Sequence, residues 1–239
     1  MDIVSALRAD QGICCFVGAG GKKTTMYTLA NRLERAVVTA TVRIPMFDNE
    51  VQEVTVTDRP RAAIDRTDRW PIGVVPEREG GNRYRGYATT VVNQLADGGV
   101  PILVKADGAR MRLFKAPDEH EPQIPQRART IVPIASAHVV GKPLNDEHVH
   151  RVDRVAELTG LARGDPVTPA AVGRVLAHER GGLKDVPEGA TVVPLINMVD
   201  DDSLAATGRE IADVIHGLAD VPHVVLGKMC DDRPLVGLV

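Results

Sequence analysis

Gly18-Ala19-Gly20-Gly21-Lys22-Lys23-Thr24-Thr25 gathers glycine, lysine and hydroxyl residues into one short run. Glycines let backbone N–H groups converge on an anion, and a helix that starts there adds its partial positive charge. A lysine can then reach the outer phosphates, and a hydroxyl can join a Mg2+ shell. The long phosphate-loop pattern G-x-x-x-x-G-K-[ST] would put glycine at Phe16 and a hydroxyl residue at Lys23. The short form G-x-x-G-K, from Gly18 to Lys22, fits better and is the form of some nucleotide-dependent ligases. Two registers are open: Lys22 with Thr24 one residue late, or Lys23 with Thr24 directly after it. A dinucleotide fingerprint begins at Gly18-Ala19-Gly20, but Lys23 stands where its third glycine must allow close packing, which argues against NAD.

Other residues could complete such a site. The apolar run Ile102-Leu103-Val104-Lys105-Ala106 ends in Asp107-Gly108, the form of a second nucleotide motif whose carboxylate holds Mg2+. Thr24 and Asp107 are therefore the expected metal ligands. Lys105 is odd inside such a strand and should leave the core, snorkel, or point at a ligand's negative charge. Thr39, Thr41 and Arg43 close the next predicted strand, where ligands of open α/β sheets gather. Asn197-Met198-Val199-Asp200 has the spacing of the guanine-reading N-K-x-D element, with methionine for its lysine. Asp201-Asp202-Ser203, which follows, could equally cap a helix. Lys115-Ala116-Pro117-Asp118-Glu119-His120-Glu121-Pro122 packs its charges between prolines and reads as a substrate- or metal-facing loop. His148 and His150 are expected two apart on a helix, off a common face, and make a poor metal pair. Gly-x-Ser-x-Gly is absent, so a side-chain nucleophile has no support.

Positioning these residues calls for alternating strands and helices. Apolar, β-branched runs predict buried strands over Ile13–Val17, Val37–Thr41, Pro101–Ala106, Thr130–Ile134, Thr191–Ile196 and His223–Leu226. Helical patterns predict Thr25–Arg35, Gly86–Asp97, Glu147–Leu158, Pro169–His178 and Ser203–Leu218, with starts marked by Asp146 and Thr168-Pro169. This alternation implies an α/β fold, a P-loop NTPase-like three-layer sandwich whose mainly parallel sheet is covered by helices on both faces. Val54–Thr57 reads as a further strand, at a sheet edge or in a small insertion around residues 48–85 of one domain spanning 1–239.

The 239 residues, 44% hydrophobic with few aromatics, can build a core of Val, Leu, Ile and Ala. A net charge of −3 gives no bulk attraction to nucleic acid or anionic membranes. Adjacent Cys14 and Cys15 would point to opposite faces of a strand, and Cys230 is remote, so no disulfide framework or zinc spacing exists. No apolar run reaches a membrane span or a signal peptide, and a soluble cytoplasmic protein is expected.

Taken together, the chain resembles the YqeC family of accessory proteins to selenium-dependent molybdenum hydroxylases. The resemblance rests on Val17–Lys22, Thr39–Arg43, Ala106–Ala109, Lys115-Ala116-Pro117, Glu119–Pro125, Gly141–Leu144, Val149–Arg151 and Val155–Gly160. The chain departs from the family pattern at Lys23, where a hydroxyl residue is usual, and at Lys105, where glutamate is. The resemblance implies a nucleotide-binding protein that helps mature a molybdenum-cofactor hydroxylase, its protein partner. The residues point to ATP or GTP with Mg2+. Gly18–Gly21 amides would cradle phosphates, Lys22 or Lys23 would neutralise them, and Thr24, Thr25 and Asp107 would lie beside them. Arg43 or Lys115 would add charge in the transition state of hydrolysis. Two other readings stand beside this one: an ATP-dependent small-molecule kinase or ligase, and a non-catalytic, nucleotide-switched adaptor or cofactor chaperone.

Overall fold

The computed structural model describes residues 1–239. In chain order the strands are β1 (Ile13–Gly18), β2 (Val37–Ala40), β3 (Ile44–Pro45), β4 (Glu53–Val56) and β5 (Ile72–Val75). There follow β6 (Arg78–Glu79), β7 (Arg83–Tyr84), β8 (Ile102–Lys105), β9 (Phe114–Lys115) and β10 (Ala128–Ser136). The last five are β11 (Val149–His150), β12 (Thr191–Val192), β13 (Leu195–Asn197), β14 (Val225–Gly227) and β15 (Leu235–Leu238). Helices are α1 (Ile3–Ala6), α2 (Lys22–Ala30), α3 (Pro60–Arg66), α4 (Thr89–Asn93), α5 (Val152–Thr159), α6 (Pro169–Leu176) and α7 (Asp202–Leu218).

Ten strands form one sheet in the order β15-β14-β13-β10-β1-β8-β2-β5-β4, with β12 also on β10. Every pairing in it is parallel except β14 with β15. β1 lies at its centre, buried on both faces, as its unbroken apolar run requires. Side-chain alternation sends Cys14 and Phe16 to the face covered by α1 and α2, and Ile13, Cys15 and Val17 to the other. That second face is covered by α3 and α4 and, further along, by α5, α6 and α7. Both cysteines of β1 are free and buried.

From β1 the chain crosses to β2 on one side, and later crosses from β8 to β10 on the other. The carboxyl end of β1 is thus the point where the strand order reverses, where open α/β sheets form a crevice. The glycine run leaves the sheet there.

Several local outcomes differ from the sequence expectation. Thr191–Ile196 is two strands, because Pro194 has no N–H to continue a ladder. β5 went unpredicted; it pairs with β2 and with β4 inside the main sheet. The segment from Glu147 is not helical at first. Asn145 Oδ1 accepts the N–H groups of Glu147 and His148, forming a turn, and α5 begins only at Val152. His150 therefore lies on β11, which pairs with β9 so that it stands opposite Lys115. Thr168 caps α6 by accepting from Ala171 N at 3.1 Å, with Pro169 in the first turn. Gly160, left-handed, ends α5. No helix is long and apolar enough to cross a membrane.

Candidate functional site

The glycine run is a tight loop between β1 and α2. Gly18, Gly20 and Gly21 all have positive φ, at 88°, 92° and 113°. Gly20 has a second constraint: a Cβ there would lie 2.9 Å from Leu113 O and would overlap Ser136 N. Its partners are backbone, which cannot swing aside. The loop's own amides are directed inward. Gly18 N donates to Asp107 Oδ2 at 2.8 Å, Ala19 N to Ile134 O at 2.9 Å, and Gly20 N to Arg112 O at 3.0 Å. This corrects the expectation that the amides of Gly18, Ala19 and Gly20 cradle a phosphate, because neighbouring segments consume them, whereas Gly21 N has no protein acceptor. The N–H groups of Lys22, Lys23 and Thr24, in the first turn of α2, have no protein acceptor, and Gly21 supplies no side-chain cap.

Asp107, 1% exposed, follows β8 directly beside this loop. Its Oδ1 lies 2.8 Å from Lys22 Nζ and its Oδ2 2.9 Å from Lys115 Nζ. Lys22 Nζ also donates to Gly18 O. The Lys22 ammonium sits off the hydrogen-bonding line of Oδ1, which makes an ion pair without a hydrogen bond and is a buried oxygen lacking a donor. Lys115 further donates to Gly108 O at 2.6 Å and to Glu121 Oε2 at 2.7 Å. Glu121 in turn receives Arg151 Nη1 at 2.6 Å and Gly108 N at 3.2 Å. Beyond it, Arg151 and Arg154 hold Asp118 at 3.1 and 3.0 Å. The result is an alternating chain of charges running from the buried loop to the surface.

Lys105 completes the cluster. It shares the register position of Phe16 and Ala40, on the side covered by α2. Only 6% exposed, it donates to Arg43 O at 2.9 Å and pairs with no carboxylate. Burial, then the nearby Lys22 charge, pushes its ammonium down to about 7. Burial also lowers Lys22, although Asp107 opposes the shift. For Asp107 burial would raise the carboxyl, but the Lys22 and Lys115 ammoniums outweigh it and hold it below the ordinary range. Glu121 behaves similarly, brought down to about 2 by Arg151 and Lys115 against the effect of burial. Three buried lysines thus face one buried aspartate, while Glu121 and Arg151 offset each other.

The remaining predicted residues are placed as follows. Lys23 and Thr24 are half-buried in the first turn of α2, and neither side chain has a hydrogen-bond or ion-pair partner. Thr25 is buried and returns its hydroxyl to Gly21 O at 3.0 Å, so it braces the turn and faces no ligand. Thr39 is likewise corrected: it is fully buried and donates to Val74 O at 2.7 Å. Thr41 donates to Gln123 O at 2.6 Å. Arg43 points to solvent and pairs with Glu79 at 2.7 Å, so only its carbonyl meets the cluster. Asn197 has both ends of its amide engaged, Nδ2 to Gly20 O at 2.8 Å and Oδ1 from Met229 N at 3.3 Å. It is buried and clamps the loop from β13. Asp200 is exposed and bonded to His138 Nε2 at 2.6 Å.

Sequence reasoning left Glu121 and Arg151 without individual roles. Their signal is weak, because Glu121 meets Lys115 across 6 positions and Arg151 meets Glu121 across 30, outside any local pattern. Charged residues between prolines, in a chain where lysines are few, were the available hint.

Residues 14–153 match the profile of a family described as YqeC protein. The chain belongs to the YqeC family. That match spans the glycine loop and every member of the Lys22–Asp107–Lys115–Glu121–Arg151 chain, whereas Asn197 and Asp200 lie beyond it. A relative in Escherichia coli (strain K12), the "Uncharacterized protein YqeC", is 29% identical over 240 residues, covering 94% of this chain and 93% of that one. No solved structure matches.

Mg2+ fits poorly at Asp107, contrary to the expectation for that residue. Asp107 is the one carboxylate against the loop, and ammonium groups sit within 2.9 Å of both its oxygens. Oδ1 lacks a hydrogen bond, but a divalent ion there would stand beside Lys22.

Proposed function

We propose that this YqeC-family protein binds the phosphates of a nucleoside triphosphate, ATP or GTP, at the mouth between β1 and α2. The observation that carries this reading is the crowding of Lys22, Lys105 and Lys115 around one fully buried carboxylate, Asp107, with Lys105 paired to none, beside the open first-turn amides of α2. Buried cations without counter-ions are costly, and an anion that fills the position relieves that cost. Lys22 is the phosphate lysine in this reading: it is buried at the loop and can move from Asp107 onto a phosphate. Lys23 is half-buried with no side-chain partner and contributes only its amide. The P-loop-like character rests on the strand–glycine turn–helix order and on β1 at the reversal of strand order.

The bound nucleotide serves an accessory role in maturing a molybdenum-cofactor hydroxylase, as the family resemblance implies. The site works by positioning and electrostatics. A kinase or ligase reading has one observation in its favour. A cavity of about 370 Å³, lined in part by Thr89, Gln123, Asp185 and Glu188, lies along the Pro122–Gln126 segment and could receive an acceptor.

Calorimetry tests the binding. ATP and GTP are titrated into wild type, Lys22→Ala and Lys23→Ala. Lys22→Ala should lose at least tenfold in affinity, the loss of a charge-assisted contact of about 1.5–3 kcal/mol. Lys23→Ala should change little. If wild type binds neither nucleotide, the proposal falls. The accessory role is tested by hydroxylase activity in a strain lacking this protein: wild type should restore it and Lys22→Ala should not.

A further inference from the structure

A site that already carries surplus positive charge does not need a divalent ion to hold a polyphosphate. Lys22, Lys105 and Lys115 are 5%, 6% and 3% exposed, and between them they face Asp107 alone as a fully buried anion. Even with Lys105 uncharged, Lys22 and Lys115 outnumber it. Glu121 restores the balance only in part, because its Oε2 is shared between Lys115 and Arg151 Nη1, the latter at 2.6 Å. Lys23 occupies the position where a phosphate loop normally offers a hydroxyl to the metal. Two like charges about 4 Å apart repel by several kcal/mol near a protein surface, so a divalent ion beside these ammoniums would be strongly opposed.

Resting on the nucleotide reading above, we infer that the site takes its nucleoside triphosphate as the metal-free anion. Lys22, Lys105 and Lys115 supply the positive charge that a divalent cation supplies in other phosphate loops. Lys105 is the residue particular to this arrangement. From the middle of the sheet it contributes an amino group no carboxylate pairs with, and its single carbonyl partner, Arg43 O, leaves it donors to give to a phosphate oxygen, whose charge favours the protonated form. Asp107 then acts as an anchor that spaces Lys22 from Lys115.

The test is calorimetry of the whole chain with ATP and with inorganic tripolyphosphate, each in EDTA and each in excess Mg2+. Binding in EDTA should equal or exceed binding with Mg2+, because chelation removes charge the lysines would meet. Lys105→Met should weaken metal-free binding at least tenfold and shift the preference toward the Mg2+ complex, while Lys105→Arg should retain the wild-type preference. Thermal melts establish that each variant is folded, and the wild-type comparison needs no variant. Mn2+ provides a second readout: water-proton relaxation should show no enhancement from Mn2+ held by the protein in a ternary complex. If wild type binds ATP only with Mg2+, or Mn2+ is held at one per chain, the metal-free inference is overturned and the nucleotide reading survives. If neither ATP nor tripolyphosphate binds in any condition, both fall.

Discussion

Replacing Lys115 by methionine is the sharpest perturbation of the charge chain. The side chain is 1% exposed, and its ammonium meets Asp107 Oδ2, Glu121 Oε2 and Gly108 O, all within 2.9 Å. Methionine preserves the stem's apolar volume but removes the charge and every donor. Breaking a buried ion pair in this one-sided way costs about 3–5 kcal/mol. Each carboxylate keeps a second cation, Lys22 for Asp107 and Arg151 for Glu121, so the lower end, about 3 kcal/mol, is expected. For a chain of this length that loss lowers Tm by about 6–12 °C. Urea unfolding of wild type, Lys115→Met, Asp107→Asn and the double variant reads the energy directly, with an unchanged slope confirming that only stability moved. Removing both partners should be milder than the sum of the single changes, by about 2 kcal/mol, because neither charge is then left buried alone. A Lys115→Met cost below about 1 kcal/mol, or additivity within about 0.5 kcal/mol, would refute the account of this cluster.

Three further outcomes follow from particular contacts. Lys105 has a folded pKa of about 7 against its ordinary 10.5. The unfolded chain binds more protons between those values, so this group makes stability rise with pH across that window, by at most about 1.4 kcal/mol per pH unit. Urea midpoints of Lys105→Met should show a flatter slope there than wild type, and parallel slopes would contradict the placement of Lys105. Gly20→Ala should cost at least about 2 kcal/mol, combining left-handed strain with backbone overlap, as denaturant titration would read; a neutral change would mean the loop is laxer than described. Thr168→Ala should lose about 1 kcal/mol in the same assay, because the Ala171 N–H loses its cap.

Much of the architecture was legible in local pattern. β1, β2, β8 and β10 each contain a short apolar, β-branched stretch, as strands buried on both faces do. The cap residues Thr168 and Asp201 act within three positions of their partners, so their chemistry is visible in sequence. β5 was harder to see. Gly73 lies in its middle, pressed against Phe47 and Val54, and its role depends on which strands lie beside it. The start of α5 was misplaced because a turn closed by Asn145 competes with helix formation over the same residues.

The glycine run, the lysine after it and an aspartate at the end of a buried strand are short-range facts, and the order of residues alone marks them as a place where an anion could sit. Which lysine is buried, which loop amides are already spent, and why Asp107 is surrounded by cations are decided by β8, β9, β10 and β11 meeting around β1. Those strands come from segments many residues apart, and electrostatic energy depends on distance in space and on burial. Sequence spacing carries neither quantity. The charge balance of this site therefore exists only once the sheet has closed over it.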